Sequence, residues 1–237
     1  MSLLSSAGVE FLLRWLHFLA GITWIGLLYY FNFVQGPFFA EADAATKSAA
    51  TQKLVPRALW WFRWSALVTF LSGALIIGKR IGEAPAGTDV WSSPWAVAIL
   101  TGALFGTLML ANVWRVIWPN QQVVIASAVA AATGGQANPA AAAAGRRAFL
   151  ASRTNVVFSI PMLFFMGAAS HMPPTQVTNL TTYWIAVFIV AALIEINALT
   201  ATSGTTTKPI EKIPGVITTG FVVWAVVYAL VQLLLTA

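Results

Sequence analysis

Six apolar runs dominate the chain, near Phe11–Phe33, Trp61–Gly78, Trp95–Val116, Val156–His171, Trp184–Leu199 and Val216–Leu235. A helix needs about 20 such residues to cross the hydrocarbon core of a bilayer, and most of these runs come close to that length. A soluble fold would need a polar surface, yet the 237 residues are 59% hydrophobic and only 8% charged, against about 25% charged in ordinary soluble domains. The surplus apolar surface must therefore face lipid. No stretch alternates in the short segments of a membrane β-barrel. The expected fold is an all-α integral membrane protein, a single transmembrane domain over residues 1–237 built as a bundle of six helices.

The fourth run is short, but AAAAAGRRAFLASRTN before it can extend the same helix inward from the membrane. The stretch Val123–Thr133 is too short and too weakly apolar to span, so it reads as a surface helix, broken by Gly134–Pro139. Nothing marks a removable signal peptide, because the first run lacks a basic leader and is long enough to span. No internal repeat stands out.

With six helices, Lys47, Lys53, Arg57, Arg63, Arg115, Arg146, Arg147, Arg153, Lys208 and Lys212 fall on one side of the membrane. Only Arg14, Lys79 and Arg80 fall on the other. Lysine and arginine accumulate on the cytoplasmic side. Both termini and the loop GEAPAGTDVWSSPW are then expected in the periplasm of a bacterial inner-membrane protein. The formal charge of +6 reflects this distribution, so the expected surroundings are lipid and no nucleic acid.

Cysteine is absent. That excludes disulfides, thiolate-bound clusters and covalently attached c-type haem, whose signature is C-x-x-C-H. Phosphate-loop, dinucleotide and zincin motifs are missing too. A metal centre would have to use histidine, methionine, carboxylate or backbone oxygen.

The chain has two histidines. His17 lies a little over one turn inside the outer end of the first run, and His171 closes the fourth. The basic-residue topology puts both in the outer leaflet, although neither imidazole was used to derive it. One turn deeper than His17 is Gly21, and one turn deeper than His171 is Gly167, since residues four apart are neighbours on a helix. Two imidazoles underlain by glycine describe a slot for a flat macrocycle, with a nitrogen ligand on each wall. Histidine is a common axial ligand of haem iron, and an ionisable group inside a membrane helix is costly and usually functional. His17 and His171 are therefore candidate axial ligands of a non-covalent haem b, with ordinary histidine packing as the alternative.

Met162, Met166 and Met172 near His171 keep copper open as an alternative metal, because thioether and imidazole together suit copper(I). Arg14, almost one turn outside His17, is a candidate partner for haem propionates or a snorkelling interfacial arginine. Trp24, two turns deeper, is placed to flank the ring or to fill core. Glu195 and Asn197 fall near the cytoplasmic end of the fifth run. A transporter would show paired ionisable groups along a midplane path, and these two alone hint at one.

The stretches RWLHFLAGITWIG and NVVFSIPMLFFMGAASHMP resemble the membrane domain of bacterial urate hydroxylases, the urate oxidase N-terminal family. That family carries a similar R-W-L-H-x-x-x-G-x-x-W-I-G in its first helix. A later helix carries N-x-x-x-x-x-P…M…S-x-H-x-P, here Asn155, Pro161, Met166, Ser170, His171 and Pro173. Family members typically continue into a C-terminal c-type cytochrome, so the resemblance implies electron transfer to a periplasmic acceptor. This sequence ends at Ala237 without C-x-x-C-H. The expected role is electron transfer to a separate cytochrome c, or as a subunit of a larger redox complex. Urate or purine oxidation is the alternative.

Overall fold

The computed structural model describes residues 2–236. Its elements are helical, and among the described residues there is no strand. In order they are α1 (Ser6–Tyr29), α2 (Gly36–Glu41), α3 (Ala44–Lys53), α4 (Val55–Gly82), α5 (Pro94–Asn112), α6 (Trp118–Ala132), α7 (Ala141–His171), α8 (Leu180–Thr200), α9 (Lys208–Glu211) and α10 (Ile213–Leu234). Six helical runs are long and apolar enough to cross a membrane: Ser6–Glu41, Val55–Gly82, Pro94–Ala132, Ala141–His171, Leu180–Thr200 and Ile213–Leu234. The six expected spans are present, and the fourth extends through the alanine-rich segment as expected.

Two runs differ from the sequence reading in where they stop. The first continues past Phe33 to Glu41, and the third continues through Pro119 to Ala132. Val123–Thr133 is thus no separate surface helix but the end of the third run. Each extension passes through a π-helical turn, Tyr30–Gln35 and Val113–Ile117, with Pro37 or Pro119 close behind. Proline lacks the N–H that an α-helix needs and crowds the preceding turn. A π turn is one of the usual places where the helical ladder adjusts, and here it lets the helix run past the ring.

The described chain divides into two compact units. One takes in the chain up to Glu83 together with Leu110–Ser152, and the other Ala84–Met109 with the chain from Arg153 on.

In the first unit α1 packs along α4. Ala20, Trp24 and Leu28 recur at helical spacing on the buried face of α1, and Phe62, Ser65, Ala66, Thr69 and Ser72 do so on α4. The Phe31 ring meets Phe62 edge-on at 5.1 to 5.7 Å spacing typical of its neighbours, with centroids 5.4 Å apart. At the outer end an ionic network closes the pair: Glu10 binds Arg14 and Lys79, Lys79 also binds Glu83, and Ser6 donates to Glu83. At the other end the Arg63 guanidinium lies 3.9 Å from the Trp118 ring centre, with Trp114 at 5.7 Å and Trp64 at 5.8 Å. The aromatic faces offer this cation the negative pole of their quadrupoles. Asn32 on the first π turn donates to Ser152 Oγ at 2.8 Å.

In the second unit α5 and α7 approach through Gly102 and Gly106. A methyl group added at Gly102 would lie 3.1 Å from Met166 Cγ, and one at Gly106 would lie 3.5 Å from Met162 Sδ. This is the small-xxx-small packing that membrane helices use for close contact. Asn155 donates to the Met109 carbonyl at 3.0 Å, and Phe105 packs on Phe158. Pro161, inside α7, cannot bond the Val157 carbonyl one turn back. Gly220 of α10 comes up against that same carbonyl, 3.3 Å from where its Cβ would be. The segment after α7 is clasped to the end of α10: Thr178 N–H and Asn179 N–H donate to the Leu235 and Leu234 carbonyls. The Thr178 hydroxyl donates there as well.

Candidate functional site

His17 sits on the α1 face that meets α4, half-buried. Its Nδ1 is 3.2 Å from Ser72 Oγ. The Ser72 hydroxyl has one proton and aims it at carbonyls of its own helix, Val68 at 2.7 Å and Thr69 at 3.0 Å. Its remaining lone pairs can only accept, so the proton on the imidazole belongs at Nδ1. A neutral imidazole protonated at Nδ1 presents a bare lone pair at Nε2. A metal-ligating histidine is characteristically oriented in this way, by a hydrogen bond from its other nitrogen. Gly73 gives the ring its place: a methyl group there would lie 3.0 Å from His17 Cε1 and 3.3 Å from Nδ1.

Gly21, one turn deeper, faces Thr69, whose Cγ2 would be 3.7 Å from an added methyl group. On this wall the glycine stands in the α1–α4 seam. Trp24 is 2% exposed, and its indole N–H has no hydrogen-bond partner among the described residues. A buried tryptophan usually places that N–H on an acceptor. Arg14 is exposed and bound to Glu10 at 2.6 Å, so its guanidinium is held by a carboxylate of its own helix.

His171 ends α7 in the second unit and is exposed, as is Gly167. An added methyl group at Gly167 would meet nothing within 4 Å. Of the three methionines, Met162 and Met166 fill the seam against Gly106 and Gly102, while Met172 is exposed beside His171. Two of the three thioethers are thus committed to helix packing. Among the described residues no group of three histidine, cysteine or acidic side chains is placed to hold a metal. Asn197 donates to the Thr206 carbonyl at 3.2 Å, which ties the end of α8 to the loop after it.

The structure brings His17, Gly21 and Trp24 onto one helix–helix seam, and His171 and Gly167 onto one helix end of the other unit. Sequence reasoning missed Ser72, Thr69 and Gly73. The signal was present as hydroxyls and a glycine at helical spacing in an otherwise apolar α4.

These features define a multi-pass helical membrane protein with an oriented imidazole inside its first span. The model of the urate oxidase N-terminal family matches residues 84–231. The chain belongs to that family. The match contains the Asn155–Pro173 motif and begins after the Arg14–Gly26 one. No curated protein and no solved structure matches the chain.

Proposed function

We propose that this protein is a haem b-binding electron-transfer protein of the bacterial inner membrane, with His17 and His171 as axial ligands. The observation that carries the reading is the hydrogen bond from His17 Nδ1 to Ser72, which leaves Nε2 free to ligate within a membrane helix. The donor set fits haem b, since two neutral imidazoles need no thiolate and the sequence has no cysteine.

In this reading Ser72 fixes the tautomer, Gly73 and Gly21 keep α4 close enough to hold the ring, and Gly167 leaves room beside His171. Haem supplies reversible one-electron storage, and two histidine ligands favour electron transfer over oxygen activation, which needs an open position. Electrons would leave for a c-type cytochrome in the periplasm, the side assigned to both histidines by the distribution of lysine and arginine. The commitment of Met162 and Met166 to packing speaks against copper. Family membership favours one second reading, oxidation of urate or a related purine.

The test is an absorption spectrum of protein purified from haem-replete cells. A Soret band with a sharp reduced α band, lost in His17→Ala and in His171→Ala, is the expected result. Stoichiometric copper with no Soret band would overturn it.

A further inference from the structure

We propose that a cleft between α5, α7 and α10 in the second unit binds the ring of a membrane-soluble quinone or quinol. The cleft has a volume of about 220 Å³, below the roughly 300–1,000 Å³ of drug-sized sites. It suits one ring or a fused pair and is too small for a porphyrin.

Its floor is apolar and buried: Ala98, Phe165, Ala168 and Val231. The Phe164 and Tyr228 rings form a wall, with centroids 5.8 Å apart at 88°, and Trp224 stacks beneath Tyr228 at 5.9 Å. Polar groups gather at the rim, where Thr175, Gln232 and Thr236 join Tyr228. Among the described residues nothing bonds the Tyr228 hydroxyl, and Gln232 Oε1 accepts only from Thr236. The rim is pre-formed, because the segment after α7 is pinned to the carbonyls of Leu234 and Leu235.

The occupant must reach this site from the bilayer, since α5, α7 and α10 all belong to membrane-spanning runs. It must be flat enough to lie against the Phe164 and Tyr228 rings, and it must carry oxygens for a hydroxyl and an amide at one edge. Quinones and quinols are the membrane-soluble class with a flat ring and ring oxygens. An acyl chain would fill the floor but leave the rim unused. Ala168 precedes His171 by one turn of α7, so the site lies near the second candidate ligand. The proposal does not depend on haem ligation, because binding is measured without electron transfer.

The test is titration calorimetry of the full chain in phosphatidylcholine nanodiscs with ubiquinone-1. Saturable binding is expected. Tyr228→Phe should weaken it about three- to tenfold, the usual worth of one net hydrogen bond. Ala168→Phe fills the floor and should abolish binding, with helix content unchanged. Should that variant misfold, Gln232→Leu on the exposed rim should still weaken binding severalfold. Absence of saturable binding, equal binding by all variants, or a retained acyl chain that ubiquinone-1 does not displace would overturn the proposal. Quinone binding by a preparation with no Soret band would sink the haem reading alone.

Discussion

His17 on α1 and Ser72 on α4 share a hydrogen bond of 3.2 Å whose direction is set by Ser72, because that hydroxyl gives its proton to its own helix. One serine thereby decides which imidazole nitrogen stays bare.

Ser72→Ala removes the acceptor while leaving both helices their packing. Loss of such a partner typically costs a metal site about 10- to 100-fold in affinity. Haem retention should fall accordingly, and Ser72→Thr should restore it. Haem per folded protein during dialysis against apomyoglobin measures this, and unchanged retention in Ser72→Ala would remove Ser72 from the site.

The two glycines should behave differently. Gly167→Leu enters open space and should leave the melting temperature unchanged while lowering haem content. Gly21→Leu pushes into Thr69 across the α1–α4 seam, so it should lower stability and haem content together. Overpacking of this kind costs about 1–3 kcal/mol. Thermal melts beside haem-to-protein ratios separate the two. Normal haem content in Gly167→Leu would show that this glycine borders no cofactor.

A fluorescent reporter that folds only in the cytoplasm should stay dark when fused after Ala237 and fluoresce when inserted at Gly134. The ten-to-three split of lysine and arginine, thirteen in all, is the reason. The opposite pattern would move both histidines to the inner leaflet.

Asp43 caps α3, accepting from the Ala45 and Thr46 amides and the Thr46 hydroxyl. The Thr46 hydroxyl, then its amide, hold the carboxyl below its ordinary value of 3.8. A depressed carboxyl contributes stability that is complete above the unfolded value and lost as pH falls through the folded one. Amide exchange over residues 44–48 should therefore quicken below about pH 4. Asp43→Asn should lessen that dependence while keeping the cap, because asparagine caps comparably. Asp43→Ala should exchange fast at every pH.

The six spans were legible because lipid leaves a membrane helix little freedom in composition. Helix ends were less so: Pro119 reads as a stop, and only the backbone shows that the π turn over Val113–Ile117 carries the helix past it. Gly21 was read as the wall of a slot because spacing on one helix does not reveal the opposite helix, and Thr69 proved to face it. The α4 hydroxyls were silent for a related reason. Ser65, Thr69 and Ser72 each donate to a carbonyl of their own helix, so nothing in the sequence distinguishes a serine that also holds a histidine. Arg14 had its partner in plain view, Glu10 four residues earlier.

The π turns make chain length itself a determinant. Deleting one residue from Val113–Ile117 would return the ladder to its ordinary period and swing all that follows by about 100° around the helix axis. Trp118 would then leave the guanidinium of Arg63, although no side chain in that cluster had been replaced. A shortened variant at this point should resemble a mutant of every downstream residue at once, which an exchange of any single one cannot imitate.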